Sequence, residues 1–223
     1  DEYKEMGKGF LNITYNPAAI EAGRYLEKKL GQKHLYLPLS YGFDEIEKTL
    51  DTLCENLGVE KIDFSSNKQQ ALDALKKAKE VIGDTHIEID YTLTLRPASL
   101  ARLLLENGFN VVSIYEDCFA GEEEEDFKWI QENYPNLKIY ATVHVKMRFV
   151  NRKRDEKLLA LGQKAAYFTG SNNFVNIIEG GGMYGFSGII KLCDLMIDAF
   201  LKDMKKLIQF KGLGCENYET NCK

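Results

Sequence analysis

Apolar and polar positions along this chain fall into short blocks that switch between two periods. Leu11, Ile13 and Tyr15 alternate with polar neighbours and predict a strand over 11–15. Asn16-Pro17 follows as a helix start, an N-cap and a proline in the first turn, and the helix runs to about Leu30 before Gly31 ends it. A short strand is expected from His34 to Leu39. Phe43, Ile46, Leu50, Leu53, Cys54 and Leu57 then share one face of a helix closed by Gly58. A third helix, capped at Ser65 or Ser66 and reaching Ile82, carries the stripe Leu72, Leu75, Ala78 and Ile82, and Gly83-Asp84 breaks it.

A fresh pattern starts at His86. Ile87, Ile89, Tyr91 and Leu93 alternate as a strand over 86–93, and Pro97 opens a helix that Gly108 closes. Val111–Tyr115 predicts a strand, Asp126–Tyr134 a helix and Lys138–Val143 a strand. Asp155–Leu161 predicts a short helix, Ala165–Thr169 a strand, and about Ser187–Gln209 a long helix with Ile190, Cys193, Met196, Ile197 and Phe200 on its apolar face. Repeated strand–helix units give an α/β fold with parallel sheets flanked by helices, Rossmann-like in kind. The division falls near residue 84, with residues 1–83 as part of one α/β domain and 84–223 as a second with a long terminal helix.

Composition narrows the function classes. With 44% apolar and 28% charged residues the chain has the make-up of a globular protein. Its net charge of −5 and the acidic run Glu122–Asp126 oppose a nucleic-acid partner. That run reads as a solvated helix N-terminus. No apolar stretch approaches the roughly 20 residues of a membrane span. The five cysteines, Cys54, Cys118, Cys193, Cys215 and Cys222, are scattered and odd in number, so neither a disulfide framework nor a metal-binding run emerges. A reducing cytoplasm is the simplest setting.

Four groups fall near expected carboxyl ends of strands, where doubly wound sheets bind ligands. Arg96, at the mouth of a helix, offers an anion site or a surface loop arginine. His144 stands with Lys146, Arg148, Arg152 and Arg154, a cluster able to hold a carboxylate-rich ligand, donate protons, or simply lie in solvent. Thr169-Gly170-Ser171-Asn172-Asn173 permits close backbone approach or an ordinary turn. Gly180, Gly181 and Gly182 precede Tyr184 and demand a non-helical turn. Nowhere does a paired acid and base, a nucleophile with its base, or a metal constellation stand out, and no metal ligand is expected.

The stretch Glu179-Gly180-Gly181-Gly182-Met183-Tyr184-Gly185-Phe186-Ser187-Gly188 before a long helix, with Leu95-Arg96-Pro97 upstream, resembles the C-terminal part of a nitrogenase component 1 type subunit, a molybdenum–iron protein-like oxidoreductase. Such subunits carry a G-x-x-G-F-x-G turn and a G-G-L-R-P turn beside their cofactor; here the Leu-Arg-Pro core matches and the two glycines do not. The resemblance makes residues before 84 the end of a middle domain and leaves the N-terminal third, with its cluster cysteines, outside the chain. It implies that Arg96, Gly180, Gly181, Gly182 and Tyr184 line a cofactor pocket and that His144 and Tyr184 are candidate proton donors. The cysteine that holds the family's metal cofactor falls at or near Tyr15, and the histidine at Tyr184. Phenols are poor ligands for an iron–sulfur-based cofactor, so no cofactor is expected in this piece. An iron–sulfur or other metallocluster, or a tetrapyrrole substrate, then belongs to the full assembly. The implied partners are a homologous subunit and a separate iron–sulfur reductase. The alternative is a non-catalytic module that binds a small anion or serves as a cofactor-assembly scaffold.

Overall fold

The computed structural model describes residues 2–119, 121–150, 157–178 and 183–202. The glycines 180–182, Arg152, Arg154, Cys215 and Cys222 lie outside the described residues.

The opening segment forms a small α/β unit. Strand β1 (Leu11–Thr14) pairs in parallel with β2 (Lys33–Tyr36), with Leu11 opposite Lys33. Between them, Asn16 accepts from the Ala18 N–H at 2.9 Å and starts a 3-10 turn that continues as α1 (Ile20–Leu30). Gly31, at φ 65°, ends it. Gly23 is required here: a Cβ would stand 2.2 Å from the His34 ring.

The main sheet has five parallel strands in the order β5-β4-β3-β6-β7. They are β3 (His86–Asp90), β4 (Asn110–Tyr115), β5 (Lys138–Tyr140), β6 (Leu158–Leu161) and β7 (Asn173–Val175). Its two faces differ in chemistry. Ile87, Ile89, Ile114, Leu159, Leu161 and Val175 join a large apolar core with α2 (Phe43–Leu57), α3 (Ser65–Ile82), α4 (Pro97–Glu106) and α7 (Gly185–Leu201), and Ile130 of α5 (Glu124–Asn133) closes one side. Glu88, Asp90, Ser113 and Tyr115 point to the second face, which α6 (Gln163–Thr169) and the turn Val145–Phe149 cover through a smaller core. The large core includes residues from Tyr41 to Ala199.

Two expectations are corrected. Leu158–Leu161 is a strand, not the end of a helix, and Gln163–Thr169 is a helix, not a strand. The Leu-Leu-Ala-Leu run is buried on both faces, and burial between α7 and α6 outweighs the helix propensity of Leu and Ala. Thr169–Asn173 therefore follows a helix and enters β7 at its amino end, away from the carboxyl edge. Gly170 is the left-handed C-cap of α6 at φ 69°, and Ser171 and Asn173 bond backbone carbonyls. That group is turn chemistry.

Helix α7 seals the large core against α3, where Ala71 and Ala78 let the backbones approach. Its start explains the Gly-Phe-x-Gly residues. Gly185 takes φ 67°, Phe186 sinks between Phe43 (5.8 Å) and Phe64 (6.3 Å), and a Cβ on Gly188 would sit 2.2 Å from the Met183 carbonyl carbon. Alanine in an open helix interior gains about 1 kcal/mol over glycine. At Gly188 the collision with backbone reverses the sign, so Gly188→Ala is expected to lower the urea midpoint; an unchanged or raised midpoint defeats this account.

Candidate functional site

The carboxyl edge of the main sheet gathers the end of β3, the turn before α4, the turn after β4 and the start of α7. Tyr184 is the N-cap of α7 and its ring stands 6.4 Å from that of Tyr15, which directly follows β1. Tyr41, buried at the entry to α2, senses both Tyr184 and Arg96 and is bonded to Thr94; burial drives its phenol well above the usual range. The positions that the resemblance matches to a cysteine and a histidine are thus neighbours, brought together from distant parts of the chain.

Arg96 is only 5% exposed. One terminal nitrogen donates to the Leu39 carbonyl at 2.6 Å and the other to the Glu122 carbonyl at 2.9 Å. The second also faces Asp126 at 3.5 Å and Glu45 at 3.9 Å. Nε is buried with no hydrogen-bond partner among the described residues. The guanidinium therefore ties the loop before α2 to the turn Gly121–Glu123 and to α5. It also lines a cavity of about 540 Å³ with Tyr36, Ser40, Glu45, Glu122 and Glu125, a wall richer in carboxylates than in cations.

Carboxylates also fill the helix starts at this edge. Asp90, fully buried, accepts from the Ala165 N–H at 2.5 Å and from the Thr92 N–H at 2.6 Å. A Cβ on Gly162 would stand 2.3 Å from that carboxylate, so glycine there is what admits Asp90. Glu123 accepts from the Ala98 N–H at 2.8 Å and occupies the N-terminus of α4. Burial raises the carboxyls of Asp90, Glu116 and Asp126, and takes Glu123 from 4.5 to about 7. The acidic run read as solvated thus turns two of its side chains inward, Glu123 and Asp126; run composition cannot mark which carboxylates face inward.

His144 is exposed at the end of β5, two strands from β3. Its Nδ1 accepts from the Lys146 N–H at 3.2 Å and caps the turn Val145–Phe149. Among the described residues no group of three or more His, Cys, Asp or Glu is arranged to hold a metal. With phenols at Tyr15 and Tyr184, these residues do not fit an iron–sulfur-based cofactor. Cys54 and Cys193 are buried free thiols, Cys193 pushed up to about 12 by burial. No helix among the described residues is long and apolar enough to cross a membrane.

A parallel sheet with polar groups at its carboxyl edge defines a broad class of α/β proteins. The family is more specific: the model described as nitrogenase component 1 type oxidoreductase matches residues 1–200, and the chain belongs to that family. A solved structure described as "Nitrogenase Cp1 at pH 6.5" shares the fold over 92% of this chain, with a TM-score of 0.57 and 14% identity. This chain spans 48% of the length of that one, and the likeness concerns the fold alone. No curated protein matches the sequence.

Because the folded state holds the Glu123 proton to about 7 while the unfolded chain releases it near 4.5, folding stability is expected to fall as pH rises through that window. Glu123→Gln keeps an acceptor for Ala98 and removes the ionisation. Its melting temperature should match the wild type at pH 5 and exceed it at pH 8; a pH-independent difference rules this out.

Proposed function

We propose that this chain is the C-terminal portion of a nitrogenase component 1-like oxidoreductase subunit, contributing one wall of a cofactor or substrate pocket in a larger metallocluster-dependent reductase. The carrying observation is the Tyr15–Tyr184 pair, 6.4 Å between ring centroids, at the meeting of β1 and α7. In this proposal the family's ligand positions are kept as a place and changed in chemistry. The cluster is held by parts beyond these residues, and this chain shapes and orients. Tyr184 is the nearer proton donor, His144 the more distant one, and Arg96 stiffens the wall. Gly180, Gly181 and Gly182, next in sequence to Tyr184, are assigned to the same pocket by the resemblance alone. The partners are a homologous subunit and a separate iron–sulfur reductase that supplies electrons in the cytoplasm, with no role for nucleic acid or membrane; a tetrapyrrole substrate is compatible.

The rival is a non-catalytic assembly scaffold. It is favoured by the commitment of Arg96 to Leu39, Glu122 and Asp126, which leaves little for a bound anion. The same commitment, with Asp90 and Glu123 already at helix starts, counts against the anion-binding form of that alternative.

The test uses the full-length gene product purified anaerobically, with metals and extracted small molecules quantified. Tyr15→Ala and Tyr184→Ala are each expected to lose most of the bound ligand while keeping the wild-type melting temperature. Full occupancy in both variants defeats the proposal. The present chain alone, reconstituted with iron and sulfide, should stay colourless; a stoichiometric iron–sulfur band would refute the division of labour.

A further inference from the structure

After β5 the chain presents Phe149 at 82% and Val143 at 80% exposure, the highest of any large apolar side chains among the described residues, with Val145 exposed between them. One exposed apolar residue is ordinary, but these three are close in sequence on one short turn. The turn is held firmly. Asp117 accepts from the Thr142 hydroxyl at 2.7 Å and from the Val143 N–H at 2.9 Å, His144 caps the 3-10 turn Val145–Phe149, and Met147 sinks into the smaller core. A surface ordered in advance loses less entropy on docking. The residues interleaved with the apolar ones are basic. Lys146 and Arg148 are exposed and form no ion pair among the described residues, in a chain whose net charge is −5.

A surface of opposite charge lies on the same chain. Glu45, Glu122, Glu124 and Glu125 line the cavity of about 540 Å³ together with the apolar Leu37 and Pro38. Besides Arg96, Lys48 is the only cation among the described residues that line it. Arg96 is already shared between two carbonyls and two carboxylates, so the lining stays net negative. The volume falls in the range of pockets that take a small molecule, and it admits a phenyl ring with an arginine stem beside it. The basic turn and the acidic cavity also flank one segment of chain. Asp117 holds the turn and Glu122 lines the cavity, and the five residues from one to the other span at most roughly 18 Å.

We propose that this chain pairs with a second copy of itself, the turn Val145–Phe149 of each protomer docking on the acidic cavity of the other. Phe149 enters the cavity, and Lys146 and Arg148 meet its carboxylates. Two surfaces this close together can both be used about one two-fold axis, so each protomer gives one turn and receives one. A single docking event would bury only half as much surface, and the doubled contact brings the pair toward the area that stable interfaces need. Like charges face each other in any pairing of turn with turn or cavity with cavity, which selects the reciprocal arrangement. The inference does not rest on the tyrosine pair, and a monomer would leave that reading standing.

The test is sedimentation equilibrium of the full chain in about 50 mM and about 1 M sodium chloride. A dimer that weakens with salt is expected. Lys146→Glu combined with Arg148→Glu should give a monomer, and so should Glu124→Lys combined with Glu125→Lys. All four positions are exposed, so the melting temperatures should hold. Mixing the two charge-reversed variants should restore a dimer, because every turn then meets a cavity of opposite charge. Phe149→Ala should weaken the wild-type dimer about tenfold. A monomeric wild type overturns the inference. So does a charge-reversed variant that still dimerises alone, or a mixture of the two that stays monomeric. Binding of monomer to phosphatidylserine vesicles, lost in Phe149→Ala, would assign the turn to a lipid surface and overturn it as well.

Discussion

Everything at the carboxyl edge depends on the contact between α3 and α7. Ala71, Leu75, Ala78 and Ile82 bury one face of α3 almost completely, and Ile189, Leu192, Cys193 and Met196 answer from α7. The two alanines matter as much as the large residues, because close backbones fix where α7 can begin. Gly188 has room for no side chain beside Met183, and Phe186 locks between two rings from α2 and the residue before α3. With these contacts set, Tyr184 has one place to be, beside Tyr15. The start of α7 thus meets the end of β1 through these two rings.

The edge itself is electrostatically self-contained. In many open α/β sheets, helix N-termini and an arginine at the switch point receive an anionic ligand. Here the switch lies between β3 and β6, where the strand order turns, and Asp90 occupies it. Glu123 does the same at α4, and the only deeply buried guanidinium among the described residues is shared between two carbonyls and two carboxylates. Burying this many ionisable groups is costly unless each is bonded, and most are. The arrangement stiffens the wall and leaves its surface acidic, a poor match for phosphate and a tolerable one for a neutral or cationic group.

Much of the architecture was legible because periodicity and turn chemistry agreed. The α2 and α3 stripes, the alternation from His86 and the proline at 97 all predicted elements that the structure contains. The exchange of strand and helix between 155 and 169 failed where they disagreed: a short Leu-Ala run has no period, and only its position between two covered faces makes it a strand. The candidate site was less legible. Arg96 was found by motif, yet its partners Leu39, Glu122 and Asp126 come from three separate segments that no local pattern links. Asp90 and Glu123 carried no local signal, because Gly162, which admits Asp90, also takes φ 115° and reads as an ordinary turn glycine.

The tyrosines at 15 and 184 separate place from chemistry. A thiolate and an imidazole bind soft or borderline iron centres directly; a phenol has a high pKa and a hard oxygen, and two tilted rings in contact leave no coordination site between them. Phenols at both positions therefore favour contact and hydrogen bonding over metal coordination at this edge. At this edge the buried Tyr41 phenol is bonded to Thr94 and feels both Tyr184 and Arg96, while Tyr15 remains 54% exposed. On the proposed reading, an exposed phenol beside a buried polar layer orients a bound group by contact and hydrogen bonding, with coordination supplied by other parts of the assembly.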